Sequence, residues 1–235
     1  MKPLINTSRV LKTSVACFLA IFLMAMSAGS PMAQEADKAQ ITVDRARVSF
    51  MNFMSDPEME WFQKNLKNLK GVLIVPSLIK GGFIWGGSGG HGVLLVRDET
   101  SGAWSQPVFY SMASVSWGLQ IGGSKSEVIL AILKQRGLES LYKLSFKLGG
   151  DVSVAAGPVG IGAGGKGITA DMASFARAKG AYAGIALDGA VIKVSDDRNA
   201  AYYGKSVRPT DIIVKQAVGN PGSYKLRQAL AEHSK

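Results

Sequence analysis

Fifteen of the chain's 28 glycines crowd into two short segments, seven within Gly81–Gly92 and eight within Gly149–Gly167. Glycine inside a strand permits bulges, tight curvature and close approach of a second backbone. There is no Gly-X-Y period, and only 8 prolines accompany it, so the pattern is not that of collagen. The flanking residues read as strands. Val72–Val75 is an apolar run closed by Pro76, and Val93–Val96 is another, with a return strand near Val108. Val115, Trp117, Leu119 and Ile121 alternate with Ser116, Gly118, Gln120 and Gly122, as a half-buried strand does. A strongly bent sheet is what such a chain can build.

Helices frame that sheet. Val43, Ala46, Phe50 and Phe53 fall on one helical stripe, and Ser55-Asp56-Pro57-Glu58 stops that helix and starts another. Met59, Phe62, Leu66 and Leu69 continue the stripe to Gly71, with Lys64, Lys67 and Lys70 at three-residue steps forming a basic strip. Ser124-Lys125-Ser126-Glu127 matches a capping box and predicts a helix through Leu133, ended or interrupted at Gly137. Strand character returns at Leu144, Phe146 and Leu148, then at Val152 and Val154. Asp188-Gly189 predicts a hairpin between 182–187 and 190–194, and the tail reads as helix from Pro209 to Ala217 and from Pro221 to His233. Strands joined mostly by short turns give an α+β fold: a single domain with a mostly antiparallel, strongly curved, glycine-rich sheet packed with several helices.

The first 33 residues read as an export leader. Lys2, Arg9 and Lys12 precede the apolar run Val15–Met26, and small residues follow at Ser27–Ser30 and Ala33. The run is about 12 residues where a membrane-spanning helix needs roughly 20. A Sec-type signal peptide at 1–33, with one domain at 34–235, is therefore the expectation, and it implies a periplasmic or secreted protein. The apolar run follows Cys17 instead of preceding it, which argues against lipidation there. Removing the leader takes three of the 27 basic residues and none of the 17 acidic ones, leaving +7 and no cysteine. Disulfides and cysteine-rich zinc sites are excluded, and two histidines, His91 and His233, are too few for most multi-histidine metal centres.

Three catalytic or nucleotide-binding patterns fail on context. Gly87-Ser88-Gly89-Gly90-His91-Gly92 satisfies the dinucleotide fingerprint, yet a strand follows where a helix N-terminus must meet the pyrophosphate. Gly160–Gly167 matches a phosphate loop through Lys166, but Gly167 stands where a magnesium-binding hydroxyl is needed. Gly86-Gly87-Ser88-Gly89-Gly90 mimics a nucleophile elbow without the strand-to-helix turn or a downstream acid and histidine in order. No catalytic residue, cofactor or metal is assigned. Nucleic acid does not fit either: the basic residues are scattered and no aromatic-basic RNA motif is present.

The first glycine cluster holds Phe83-Ile84-Trp85 with Lys80 beside it, a hydrophobic tip next to a cation, suited to an anionic bilayer surface. A bent sheet against a helix explains the same glycines without a ligand.

The ordered set of segments resembles the SYLF-domain (lipid-binding, Ysc84-like) family. It comprises Lys70-Gly71-Val72-Leu73-Ile74-Val75-Pro76, Lys80-Gly81-Gly82-Phe83, Gly89-Gly90-His91-Gly92 and Trp104-Ser105-Gln106-Pro107. Gly118–Gly122, Leu148-Gly149-Gly150-Asp151-Val152-Ser153-Val154 through Gly160, Lys179–Ala190 and Tyr202-Tyr203-Gly204 complete it. The resemblance is collinear from about Ala39 to Val214 and implies a non-enzymatic lipid-binding module. Eukaryotic relatives bind phosphoinositides, and some bind and bundle actin. With an export leader, the expected ligand becomes anionic phospholipid of a bacterial envelope, at a membrane-associated protein. A structural or protein-interaction module holding an envelope protein is the alternative. The expected lipid-binding residues are Lys64, Lys67, Lys70, Lys80, Phe83 and Trp85, with Lys166, Arg177 and Lys179 as a second basic group.

Overall fold

The structure, a computed structural model, describes residues 31–82, 85–117, 122–157, 169–178, 187 and 189–235. The expected leader run Val15–Met26 and the site candidates Phe83, Lys166 and Lys179 lie outside the described residues.

The described residues open with α1 (Pro31–Met54), longer than its apolar stripe alone required. Its buried residues Ala39, Val43, Ala46, Phe50 and Phe53 follow the helical period. Asp56 then stops the chain: its side chain accepts from the Glu58 N–H, with Pro57 in the first turn of a 3-10 segment (Pro57–Met59). α2 (Glu60–Asn65) and a second 3-10 turn (Leu66–Asn68) follow. The expected second helix is thus broken into three pieces. Lys64 sits on α2, Lys67 on the 3-10 turn, and Lys70 beyond both, so the three lysines share no continuous helix face.

The sheet comprises β1 (Gly71–Gly82), β2 (Trp85–Val96), β3 (Val108–Trp117), β4 (Gly122–Ile132), β5 (Ser145–Lys147), β6 (Val154–Ala156), β7 (Met172–Ala178) and β8 (Val191–Val194). Its spatial order is β5-β8-β3-β2-β1-β4-β7-β6, antiparallel throughout except for the β6–β7 pair, and it curls into a half-barrel. The α+β single-domain expectation holds.

One expected local element is corrected, and a second is described only in part. Residues 124–132 belong to strand β4, not to a helix. Val128, Leu130 and Ile132 enter one core while Ile129 and Ala131 enter the other, and only a strand can send alternate residues of one run to two buried faces. Glu127, the expected capping residue, instead accepts from Ser49 and Asn52 on α1. The helix comes one step later, as α3 (Gln135–Leu141), with Gly137 inside it because a Cβ there would lie 2.9 Å from the Asp171 carbonyl oxygen. Second, the turn at 187–190 exists, with Gly189 at φ 83° and the Ala190 N–H donating to the Leu187 carbonyl. Of the two flanking strands expected, β8 is present, with β3 on one edge and β5 on the other, and 182–186 lie outside the described residues.

Both faces of the sheet are covered near the Gly71–Val96–Ile132 end. On one, α1, α2 and α6 (Tyr224–His233) bury Phe50, Phe62, Leu226 and Leu230 against Ile74, Leu95 and Phe175. Trp61 stacks on Phe175 there, centroids 5.8 Å apart. On the other, α3 and α5 (Pro209–Ile213) bring Leu138, Leu141 and Ile212 onto Leu73, Leu94, Tyr110 and Leu130. The Tyr110 hydroxyl donates to the Leu141 carbonyl. α4 (Asp196–Tyr203) ends at Gly204, φ 69°, and its Asn199 amide both donates to and accepts from the Phe109 backbone.

Candidate functional site

Pro76 stands where burial of the long strands thins: past Leu78 and, across the ladder, Met112, the described residues of β1 to β3 are exposed or half-buried. Having no N–H for the ladder, it sits in a bulge, where the pairing of β1 with β2 shifts between Ile74 and Ser77. Leu73, Val75 and Leu78 all face the same core, so the bulge reverses the phase of β1. Beyond it Ile79 lies on the helix-covered side of the sheet. Glycine is required on β2 for this geometry: a Cβ on Gly92 would stand 2.5 Å from the Ile74 carbonyl oxygen, and one on Gly90 2.5 Å from that of Ser77.

Past the bulge, register builds one surface from six strands. Lys125 on β4 pairs with Ile79, Ile79 with Gly89, Gly89 with Ala113, Ala113 with Val191, and Val191 with Lys147 on β5. Directly opposed residues share a sheet face, so this is one row: an apolar centre with a lysine at each end. Ile79 is 61% exposed, Val191 43%, and Val115 in the next row 77%. Isolated exposed apolar residues are ordinary, but an in-register group on one face is not.

Beside the row, α1 and the sheet leave a groove of about 590 Å³ lined by Lys38, Ile41, Arg45, Ile79, His91 and Arg198, among others. Arg198 is anchored, its Nη1 donating to the Thr42 hydroxyl at 3.1 Å and its Nε 3.9 Å from the Glu35 carboxylate. Lys38 pairs with Glu35 at 2.8 Å. Arg45, Lys125, Lys147 and Lys193 make no ion pair among the described residues. The His91 imidazole is held below its usual range by burial, with the Arg198 charge acting the same way and Glu35 opposing it. It is neutral at pH 7. The groove thus presents cations, hydroxyls and aliphatic side chains, and among the described residues no hydrogen bond joins His91 to a hydroxyl.

The described residues among those the sequence singled out lie on separate elements. Lys64 is paired with Glu60, Lys70 with Glu99, and Arg177 with both Asp56 and Glu127. Lys67 is exposed, and half-buried Lys80 lies in register with Ser88 and Ser124, on the sheet face opposite Ile79. Trp85 opens β2, its backbone paired with Trp117. The groove residues Lys38, Ile41, Arg45 and Arg198 carry no sequence signal beyond the helical stripe, since a solvated helix face has the same composition.

A family model described as "Ysc84: Las17-binding protein actin regulator" matches residues 113–233, just over half of the chain. The chain belongs to the Ysc84 family. An SH3 domain-containing protein of Schizosaccharomyces pombe is 33% identical over 144 residues, covering 59% of this chain and 33% of that protein. Protein YSC84 of Saccharomyces cerevisiae is 31% identical over 146 residues, 59% of this chain and 31% of its own length. The SH3 domain-containing YSC84-like protein 1 of Mus musculus is 31% identical over 145 residues, 60% of this chain and 42% of its own. The Ysc84-like chain therefore spans about a third to two-fifths of these relatives. The matched family segment, 113–233, contains Ala113, Val115, Lys125, Lys147, Val191 and Arg198 of the surface described above.

Proposed function

We propose that this Ysc84-family protein is a non-enzymatic binder of anionic phospholipid, acting at a membrane surface of a bacterial envelope after export by its leader. The row from Lys125 to Lys147, with its exposed apolar centre, carries the reading. A bilayer surface offers both things such a face needs: acyl chains for Ile79, Val115 and Val191, and phosphates for the lysines at the row ends and for Lys38 and Arg45 in the groove. Each Lys or Arg close to an anionic leaflet contributes about 1 kcal/mol, so four such side chains suffice for reversible adsorption. No helix among the described residues is long and apolar enough to cross a membrane, and a peripheral mode of binding needs none. Las17 and actin belong to the family description and eukaryotic cell biology; an exported protein meets lipid head groups instead.

Flotation with vesicles of phosphatidylcholine and graded phosphatidylglycerol tests this. Binding should rise with anionic content and fall with salt. Replacing Lys38, Arg45, Lys125 and Lys147 together by glutamine should weaken it at least tenfold, roughly a third of the summed charge contribution. Indifference of the wild-type protein to anionic vesicles at low salt overturns the reading and leaves a protein-interaction module of the envelope in its place.

A further inference from the structure

At the opposite end of the sheet, a second cavity of about 560 Å³ opens between the loop after β2, α3 and the segment joining α5 to α6. That size is ordinary for a small-molecule site. Its polar wall is unusual. Arg97 Nε is buried and has no hydrogen-bond partner, and the rest of that guanidinium makes neither a hydrogen bond nor an ion pair among the described residues. Buried polar groups in native proteins are nearly always paired, so an orphaned guanidinium nitrogen at a cavity points to a ligand.

Arg227, on α6, lines the same cavity. Its Nε donates to the Trp104 carbonyl at 2.9 Å, and Trp104 bridges Arg97 through the backbone, so one residue locates both arginines. The carboxylates on this wall are already engaged. Asp98 accepts from the Thr100 and Ser101 N–H groups and from the Ser101 hydroxyl, and Glu99 is paired with Lys70. Two cations therefore face the cavity; of its two anions, Glu99 is turned to Lys70, and Asp98, held by its own loop, feels the Arg97 charge without a hydrogen bond or ion pair to it. The loop above is shaped around Arg97: Gly102 has φ 71°, and a Cβ there would lie 2.9 Å from Nη2. Gln216, also on the wall, holds φ 49°, the positive value among the described non-glycine residues, and such strain gathers at ligand sites. The floor is aliphatic, with Leu138, Ile212 and Val218.

We infer that this cavity binds a small, soluble, amphiphilic oxyanion, its carboxylate or phosphate head held by Arg97 and Arg227 and its short aliphatic body lying on Leu138, Ile212 and Val218. The site is separate from the membrane-facing row and does not depend on it.

Calorimetric titration of the purified protein with hexyl phosphate, hexanoate and hexanol is the test. One or both anions should bind saturably with one site per chain, and hexanol should not. Binding of only one anion identifies the head group. Arg97→Gln should weaken the anion roughly ten- to a hundredfold, the worth of charge-assisted hydrogen bonds, with part regained in Arg97→Lys. Flotation on phosphatidylglycerol vesicles should be unaltered in Arg97→Gln, which separates this site from the membrane surface. If Arg97→Gln does not fold, Arg97→Lys and Arg227→Lys carry the comparison, each expected to weaken the anion several-fold by losing the guanidinium fork. Absence of saturable binding, equal binding of hexanol, or full affinity in the folded Arg97 variants overturns the inference.

Discussion

Arg177 on β7 donates from Nε to the Asp56 carboxylate at 3.0 Å, tying the corner between α1 and α2 to the sheet across 121 residues of chain. The Asp56 side chain is almost wholly buried, and it also caps the 3-10 turn that follows. The second partner of Arg177, Glu127, is in turn held by Ser49 and Asn52. A cation so engaged is a fastening between layers and not a free lipid contact.

Substituting Arg177→Met should therefore act on stability. Removing one partner of a buried pair costs about 3–5 kcal/mol; Arg177 keeps part of its side chain in water, which brings the expectation down to about 1–3 kcal/mol. The melting temperature should fall by several degrees while binding to anionic vesicles is retained. Calorimetry and flotation on the same variant check both halves, and lost binding with unchanged stability would return Arg177 to the membrane surface.

Glycines at two positions should respond in opposite ways. Gly92→Ala drives a Cβ into the Ile74 backbone, which cannot move aside, and should cost about 2–3 kcal/mol. Gly81→Ala meets nothing within 4 Å and should leave chemical denaturation within about 0.5 kcal/mol of wild type. Equal midpoints for the two variants would contradict the close approach of β2 to the bulge.

Acid should strengthen membrane adsorption through His91. The ring is kept neutral in the fold, so its contribution to stability is present above its ordinary value near 6.5 and is lost as pH falls below that. A phosphate in the groove favours the protonated ring, and binding takes up a proton. Affinity for phosphatidylglycerol vesicles should rise between pH 7 and pH 5, and His91→Gln should flatten that slope while lowering the loss of stability over the same range.

Apolar and ionic parts of the surface should separate by their response to salt. Ile79→Ser with Val115→Ser removes side chains that are mostly in water, so the fold should scarcely notice. Vesicle binding should weaken and what remains should disappear at high salt, because only the screened charges are left. A variant that keeps wild-type, salt-resistant binding would show that the row does not enter the bilayer.

Local periodicity made α1 legible, since Val43, Ala46, Phe50 and Phe53 each do what their spacing requires. It failed at β4, where a capping box of four residues competed with a run whose two buried faces are visible only once β1 and β7 flank it. α4 was missed because Asp196–Tyr203 is short and polar, and its helix is fixed by Asn199 reaching the Phe109 backbone 90 residues away. The surface row was unreadable for the same reason: Lys125, Ile79, Ala113, Val191 and Lys147 meet through register, which sequence order does not disclose. The lysine strip, in contrast, was visible as spacing but not as structure, because a 3-10 turn interrupts the helix at Leu66.

The bulge at Pro76 has a mechanical consequence. Strands β1 to β4 are gripped between two cores on one side of it, while on the other, past Leu78, Met112 and Ser126, their described residues are exposed or half-buried, like planks fixed at one end of a jetty. Load applied at the outer ends would pass along the backbone ladders into the fixed part before it reached either core. Substitutions at the exposed outer positions should accordingly put folding at little risk, whereas the same changes inboard of Pro76 would be felt by both layers at once.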